Sequence, residues 1–247
     1  MSGLKFNTHV CALTLGLSLA ACGGGGGGAD TGASTGADPS QAQGIWQGTG
    51  SSGLVATTAA LSDGTVWVVL SQGDQPVSLV QGSLASSGVN LAGTGSRYVF
   101  SPASRTPVSL NADARARLSL SLRYVSPTAS DTLQMSYQTR YESTLSIADV
   151  AGPWRGLTGD QVVAIDWTVT SGGIIEGRSS TGCTYSGVVS TRPEARAVLN
   201  ARLTETCTDA FTSFDGVVTL STDRLRANFA FMSADASSAL LMGLRRQ

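Results

Sequence analysis

The chain has 247 residues, 16 lysines and arginines against 17 acids, and 41% hydrophobic residues, which is enough to bury one or two cores and carries no basic footprint for nucleic acid. Its only lysine, Lys5, and its only histidine, His9, fall within the first nine residues. Everything downstream therefore lacks the usual general base, the commonest metal ligand and the amine for Schiff-base chemistry.

Met1 to Asn7 forms a short n-region with Lys5 as its formal charge, and Val10 to Ala20 is an apolar run too short to span a bilayer core of ~30 Å. This pattern reads as a signal sequence. Leu19-Ala20-Ala21-Cys22, followed by six glycines from Gly23 to Gly28, resembles a bacterial lipobox. The resemblance implies a signal peptide over residues 1–21, cleavage before Cys22, a diacylglycerol on the Cys22 sulfur and an acyl chain such as palmitate on its amine. Gly23, where lipoproteins kept at the inner membrane carry Asp, implies the outer membrane as the location of the anchor. The glycine run is similar to that of surface-displayed lipoproteins, but a periplasm-facing tether would look the same, so both faces stay open. The processed chain would hold 15 arginines and 17 acids, a formal charge of −2.

Residues 22–43 are rich in Gly, Ala, Ser and Thr, with Asp30 and Asp38 as their only charges, and are expected to form a flexible tether. From Gly44 onward the pattern is that of β-strands. Val66 to Leu70 is apolar on both faces, as a deeply covered strand requires. From Ala114 to Tyr124 apolar and polar residues alternate strictly, as do Leu133, Met135 and Tyr137 with their polar neighbours. The same period recurs at Val163, Ile165, Trp167 and Val169, and at Leu225, Ala227, Phe229 and Phe231. Asp63-Gly64 and Asp215-Gly216 read as hairpin turns, since Asp and Gly tolerate positive φ.

Gly44-Ile45-Trp46-Gln47-Gly48 returns as Gly152-Pro153-Trp154-Arg155-Gly156, 108 residues later. Each copy opens a series of short strands, which predicts an all-β fold of two similar antiparallel units, small barrels or sandwiches, over residues 44–148 and 149–247. Ser146 to Val150 reads as the connector. Flanking glycines let a large indole turn inward, so Trp46 and Trp154 are expected to plug the end of each unit, each N–H finding a carbonyl. The motif resembles the first-strand G-x-W of lipocalins, which implies a barrel around an apolar ligand. The whole layout resembles a loosely defined group of proteobacterial outer-membrane lipoproteins with a lipobox, a Gly-rich tether and repeated β units. That resemblance carries no catalytic or ligand-binding residue to this chain.

Beyond Cys11 in the signal and Cys22, the cysteines are Cys183 and Cys207. In an oxidising compartment they are expected to form a structural disulfide; their spacing is not C-x-x-C, and without histidine they make a poor metal site. Carboxylates such as Asp160, Asp166, Glu176 and Glu194 could in principle pair for glycoside hydrolysis. Nothing in their spacing singles them out, and no G-x-S-x-G elbow, phosphate loop or calcium loop is present. A transmembrane barrel fits poorly, because the polar faces carry many arginines and no terminal aromatic closes the chain. The expectation is a lipid-anchored, non-enzymatic cell-envelope protein without cofactor or metal. It would bind a protein or glycan partner, and no nucleic acid, through loops, exposed edges and residues such as Arg115, Arg117, Phe211 and Phe214. The alternative is a lipocalin-like carrier of a small apolar ligand.

Overall fold

The computed structural model describes residues 37–247, except 160, 161, 195 and 209. Cys22 lies outside the described residues. The described residues form one compact unit. Within it, the alternating segments pair with their sequence neighbours as antiparallel meanders that close into two eight-stranded barrels. Barrel 1 comprises β1 (Gly44–Gly50), β2 (Val55–Ala60), β3 (Thr65–Gln72), β4 (Gln75–Ser87), β5 (Asn90–Phe100), β6 (Ala103–Arg115), β7 (Ser119–Val125) and β8 (Ser130–Tyr137), with β8 pairing back onto β1. Barrel 2 comprises β9 (Gly152–Thr158), β10 (Ala164–Val169), β11 (Ile174–Ser179), β12 (Thr184–Ser190), β13 (Val198–Cys207), β14 (Ala210–Leu220), β15 (Arg226–Ser233) and β16 (Ala239–Arg246), with β16 returning to β9. The two units expected from the repeated motif are thus both barrels. A single helical turn, α1 (Ile147–Val150), joins them at the expected connector, and the Asp149 carboxylate accepts hydrogen bonds from the Ser146 N–H (2.8 Å) and hydroxyl (2.9 Å).

Each barrel has its own filling. Trp46, Val68, Leu70, Val80, Leu110 and Leu122 lie in one buried cluster inside barrel 1. Trp154, Ile165, Trp167, Phe229, Phe231 and Met242 occupy barrel 2. The outward side of barrel 1 is also apolar where it meets the second barrel: Ile45, Trp67, Val69, Leu79 and Tyr98 belong to the barrel 2 cluster. This explains why Val66 to Leu70 is apolar on both faces. Val66, Val68 and Leu70 fill barrel 1, while Trp67 and Val69 press against its neighbour. Polar contacts frame the joint, with the Tyr98 hydroxyl donating to the Ala236 carbonyl (2.7 Å) and Arg140 Nη1 to the Leu220 carbonyl (2.8 Å).

Four expectations need correction. Structure extends N-terminal of Gly44, into the stretch expected as a flexible tether. Pro39–Ala42 forms a 3₁₀ turn opened by Asp38, whose carboxylate accepts the Ser40 N–H (2.9 Å), and Ala37 and Ala42 are buried in the barrel 1 cluster. Asp215-Gly216 is no turn; it lies within β14. A Cβ at Gly216 would meet the Ala230 carbonyl oxygen at 2.1 Å and the Phe231 ring at 2.6 Å, so the glycine serves close approach by β15. The alternating run from Ala114 to Tyr124 covers two strands, because Arg117 adopts φ 57° and turns the chain between β6 and β7. Leu118 is left in that turn, 64% exposed. Finally, closure pairs every strand with two neighbours, so neither barrel has the exposed edge expected as a binding surface.

Candidate functional site

The G-x-W-x-G motif builds the same device in both barrels. Trp46 and Trp154 are fully buried, and each indole N–H donates to the carbonyl four residues back, Ala42 (2.6 Å) and Val150 (2.7 Å). The second glycine of each motif lets the last strand approach: a Cβ at Gly48 would strike the Gln134 carbonyl oxygen at 1.9 Å, and one at Gly156 that of Gly243 at 2.1 Å. The first glycine makes room for a cover on the indole. In barrel 1 the cover is Tyr137, paired with Trp46 and edge-on to it at 5.2 Å. In barrel 2 the equivalent position, paired with Trp154, holds Arg246, whose guanidinium lies 4.6 Å over the indole and donates to the carbonyls of Asp149 and Ala151. Burial and the hydrogen bond it donates to Glu142 (2.6 Å) push the Tyr137 hydroxyl up to about 12. Trp46 and Trp154 are thus enclosed alike, each under a cover and with its N–H bound to a carbonyl.

At the other end the barrels differ. Asp131 is 3% exposed inside the mouth of barrel 1 and accepts from the hydroxyls of Ser51 (2.6 Å) and Ser52 (2.5 Å) and from the Thr132 N–H (2.8 Å). Burial alone would raise its carboxyl, but the hydrogen bonds from Ser51, Ser52 and Thr132 outweigh burial and hold it below the ordinary carboxylate range. The β1–β2 loop is thereby tied across the opening. Arg97 lies nearby, 5.7 Å over the Tyr124 ring.

The mouth of barrel 2 retains a cavity of about 230 Å³, lined by Val163, Leu240, Tyr185 and Glu205, with Phe100 and Ala103 reaching over from the β5–β6 hairpin of barrel 1. The Tyr185 hydroxyl donates to Glu205 (2.7 Å), and burial together with this bond raises its pKa. Beneath them Trp167, 2% exposed, packs 5.4 Å from the Tyr185 ring, and its indole N–H has no partner among the described residues. This pair is the most chemically distinctive feature of either interior, and sequence reasoning missed it. Tyr185 and Glu205 lie 20 residues apart, and only the β12–β13 register places them opposite each other.

Cys183 and Cys207 form the expected disulfide, with Cα atoms 4.3 Å apart, at the rim of the same mouth. The Glu205 carboxylate lies within 4.8 Å of both sulfurs. Because the sulfurs are bonded to each other, they offer no thiolate to a cation. Of the aromatics suggested for contact, Phe214 is inside barrel 2, whereas Phe211 is 77% exposed in the β13–β14 hairpin. Asp166 is engaged by Arg155 (2.7 Å), which holds its carboxyl below the ordinary range, and Glu194 by Arg192 (3.3 Å) and Ser62. Glu176 is on β11, and Asp160 lies outside the described residues.

The two barrels with their unequal mouths define an all-β, double-barrel protein. No family model, no curated protein and no solved structure matches the chain.

Proposed function

We propose that the protein is a non-enzymatic binding module of the cell envelope, tethered to the outer membrane through a lipidated Cys22. The observation that carries this reading is the engagement of its acids. Asp131, Asp149, Asp166, Glu142 and Glu194 are each held by serine or arginine, which ties these five carboxylates to structural contacts rather than leaving them as a paired acid and base. Charged side chains on the outer wall of barrel 2, Arg155, Arg226 and Arg245, fit an aqueous surroundings better than lipid. Protease treatment of intact cells tests the placement. Digestion of the barrels with the envelope intact supports a surface partner, whereas protection until permeabilisation supports a periplasmic one. Release of a Cys22→Ser variant from membranes is expected, and its retention there would refute the anchor.

A second reading, a carrier of a small apolar ligand, is favoured by the cavity at the mouth of barrel 2. Its size and the Tyr185–Glu205 floor suit a compact apolar molecule with one hydrogen-bonding group. Ligand-dependent quenching of tryptophan fluorescence that is lost in a Leu240→Trp variant would support it.

A further inference from the structure

The outer wall of barrel 2 carries a row of charges with an unusual order. Arg226 on β15 stands opposite Arg245 on β16, Arg245 opposite Arg155 on β9, Arg155 opposite Asp166 on β10, and Asp166 opposite Arg178 on β11. Neighbouring strands lie ~4.8 Å apart, so four guanidinium-bearing residues and one acid mark regular steps along a line of about 19 Å. Like charges directly opposite one another destabilise a sheet. Three consecutive arginines are not required by packing either, because the side chains of Arg226, Arg155 and Arg245 are 49%, 60% and 62% exposed.

A groove of about 280 Å³ runs past the Arg226, Arg245 and Arg155 part of this row, bounded on one side by the Asp74–Pro76 segment of barrel 1. Gly243 forms part of its wall; a Cβ there would meet Pro76 at 3.3 Å. Asn228 and Leu157 add an amide and an apolar surface. Among the described residues, two carboxylates pair with these guanidinium groups. Asp74 accepts from Arg226 (3.1 Å) and lies 3.8 Å from Arg245, and Asp166 accepts from Arg155 (2.7 Å). Asp74 is 70% exposed, so its pairs are weak and open to exchange with another anion.

Guanidinium groups bind carboxylates and phosphates through paired hydrogen bonds. A single phosphate would be served by arginines converging on one point. Here they are spread along a line that crosses the strands, and each step is similar in length to one saccharide unit. We propose that the groove binds an acidic polysaccharide chain, its carboxylates following Arg226, Arg245 and Arg155 and its sugar faces resting on Leu157 and Pro76. This rests on the reading of the protein as a binding module and names the class of its partner.

The test is calorimetric titration of the full purified chain with polygalacturonate oligomers at low salt. Saturable binding is expected, at least tenfold weaker at about 300 mM salt than at about 50 mM, and at least tenfold weaker in an Arg155→Gln/Arg245→Gln variant. Asp74→Asn, which removes the competing carboxylate, is expected to tighten binding about threefold, an effect that a purely structural ion pair would not produce. Should the double glutamine variant fail to fold, Asp74→Asn decides the question by itself. Absence of saturable binding, or equal affinity in wild type and variants, overturns the proposal. Binding of inorganic pyrophosphate or anionic vesicles without polygalacturonate overturns the saccharide assignment. The titration does not depend on the lipid anchor, so failure at Cys22 and failure at the groove are read separately.

Discussion

Barrel 1 and barrel 2 share strand number, connectivity and a tryptophan plug, and they differ at both ends. Barrel 1 covers its plug with Tyr137 and ties its mouth with Asp131, Ser51 and Ser52. Barrel 2 covers its plug with Arg246 and leaves a mouth framed by a disulfide and a Tyr185–Glu205 pair. The shared features are those a closed eight-stranded meander needs in order to pack. The divergent ones tie a loop across the mouth of barrel 1 and leave a cavity at the mouth of barrel 2, the barrel where the proposed binding role falls.

The largest effects should come from the shared plugs. Trp46→Ala and Trp154→Ala are each expected to cost about 3–5 kcal/mol in denaturant unfolding, since each empties a fully enclosed site and leaves a carbonyl without its donor. A loss below about 1 kcal/mol in either would show that the two motifs are not equivalent. Next is the disulfide, found only in barrel 2. Its cysteines are 24 residues apart, and a Cys183→Ala/Cys207→Ala variant is expected to lose about 3 kcal/mol. If barrel 2 unfolds separately in that variant, the packed joint is weaker than its apolar contacts imply.

Asp131 gives a smaller effect confined to barrel 1. Asp131→Asn is expected to cost about 2 kcal/mol at neutral pH, because it weakens charge-assisted hydrogen bonds in a buried mouth. The depressed carboxyl also fixes the sign of the pH dependence. Its stabilisation is present above the ordinary carboxylate value and is lost as the pH falls through the folded value. Unfolding curves taken from pH 5 downward should therefore be less steep in the variant than in the wild type. Tyr137 acts at the opposite limit. With its hydroxyl pushed up to about 12, its contribution holds below pH 10 and falls away between about pH 10 and 12, a loss expected to vanish in Tyr137→Phe. The smallest change is an exchange of covers. Arg246→Tyr, which gives barrel 2 the cover of barrel 1, is expected to cost about 1–2 kcal/mol through the lost cation–π contact and carbonyl hydrogen bonds. No change in melting would mean that the two covers are interchangeable.

Much of this was legible in the residues. Period-two alternation marked the strand-forming segments, the paired glycines around Trp46 and Trp154 marked the barrel ends, and Cys183 and Cys207 could be paired by elimination. Turns were harder to read. Asp63-Gly64 lies in the predicted turn, whereas Asp215-Gly216 lies inside a strand, because a glycine that relieves a φ and one that admits Phe231 look alike in a sequence. The run from Ala114 to Tyr124 misled for a related reason: alternation continued unbroken through Arg117, the residue that turns the chain.

By itself, then, the sequence determined local matters: which residues form strands, which face of each is apolar, where the two units start and which cysteines meet. These follow from side-chain period and backbone preference over a few neighbouring residues. Only the tertiary structure decided that β8 returns to β1 and β16 to β9, that Trp67 and Val69 are covered by the second barrel, that Tyr185 meets Glu205, and that Arg226, Arg245 and Arg155 stand side by side. Those outcomes depend on register and closure between segments far apart in the chain, and a shift of a single residue would turn every side chain of a strand to the opposite face.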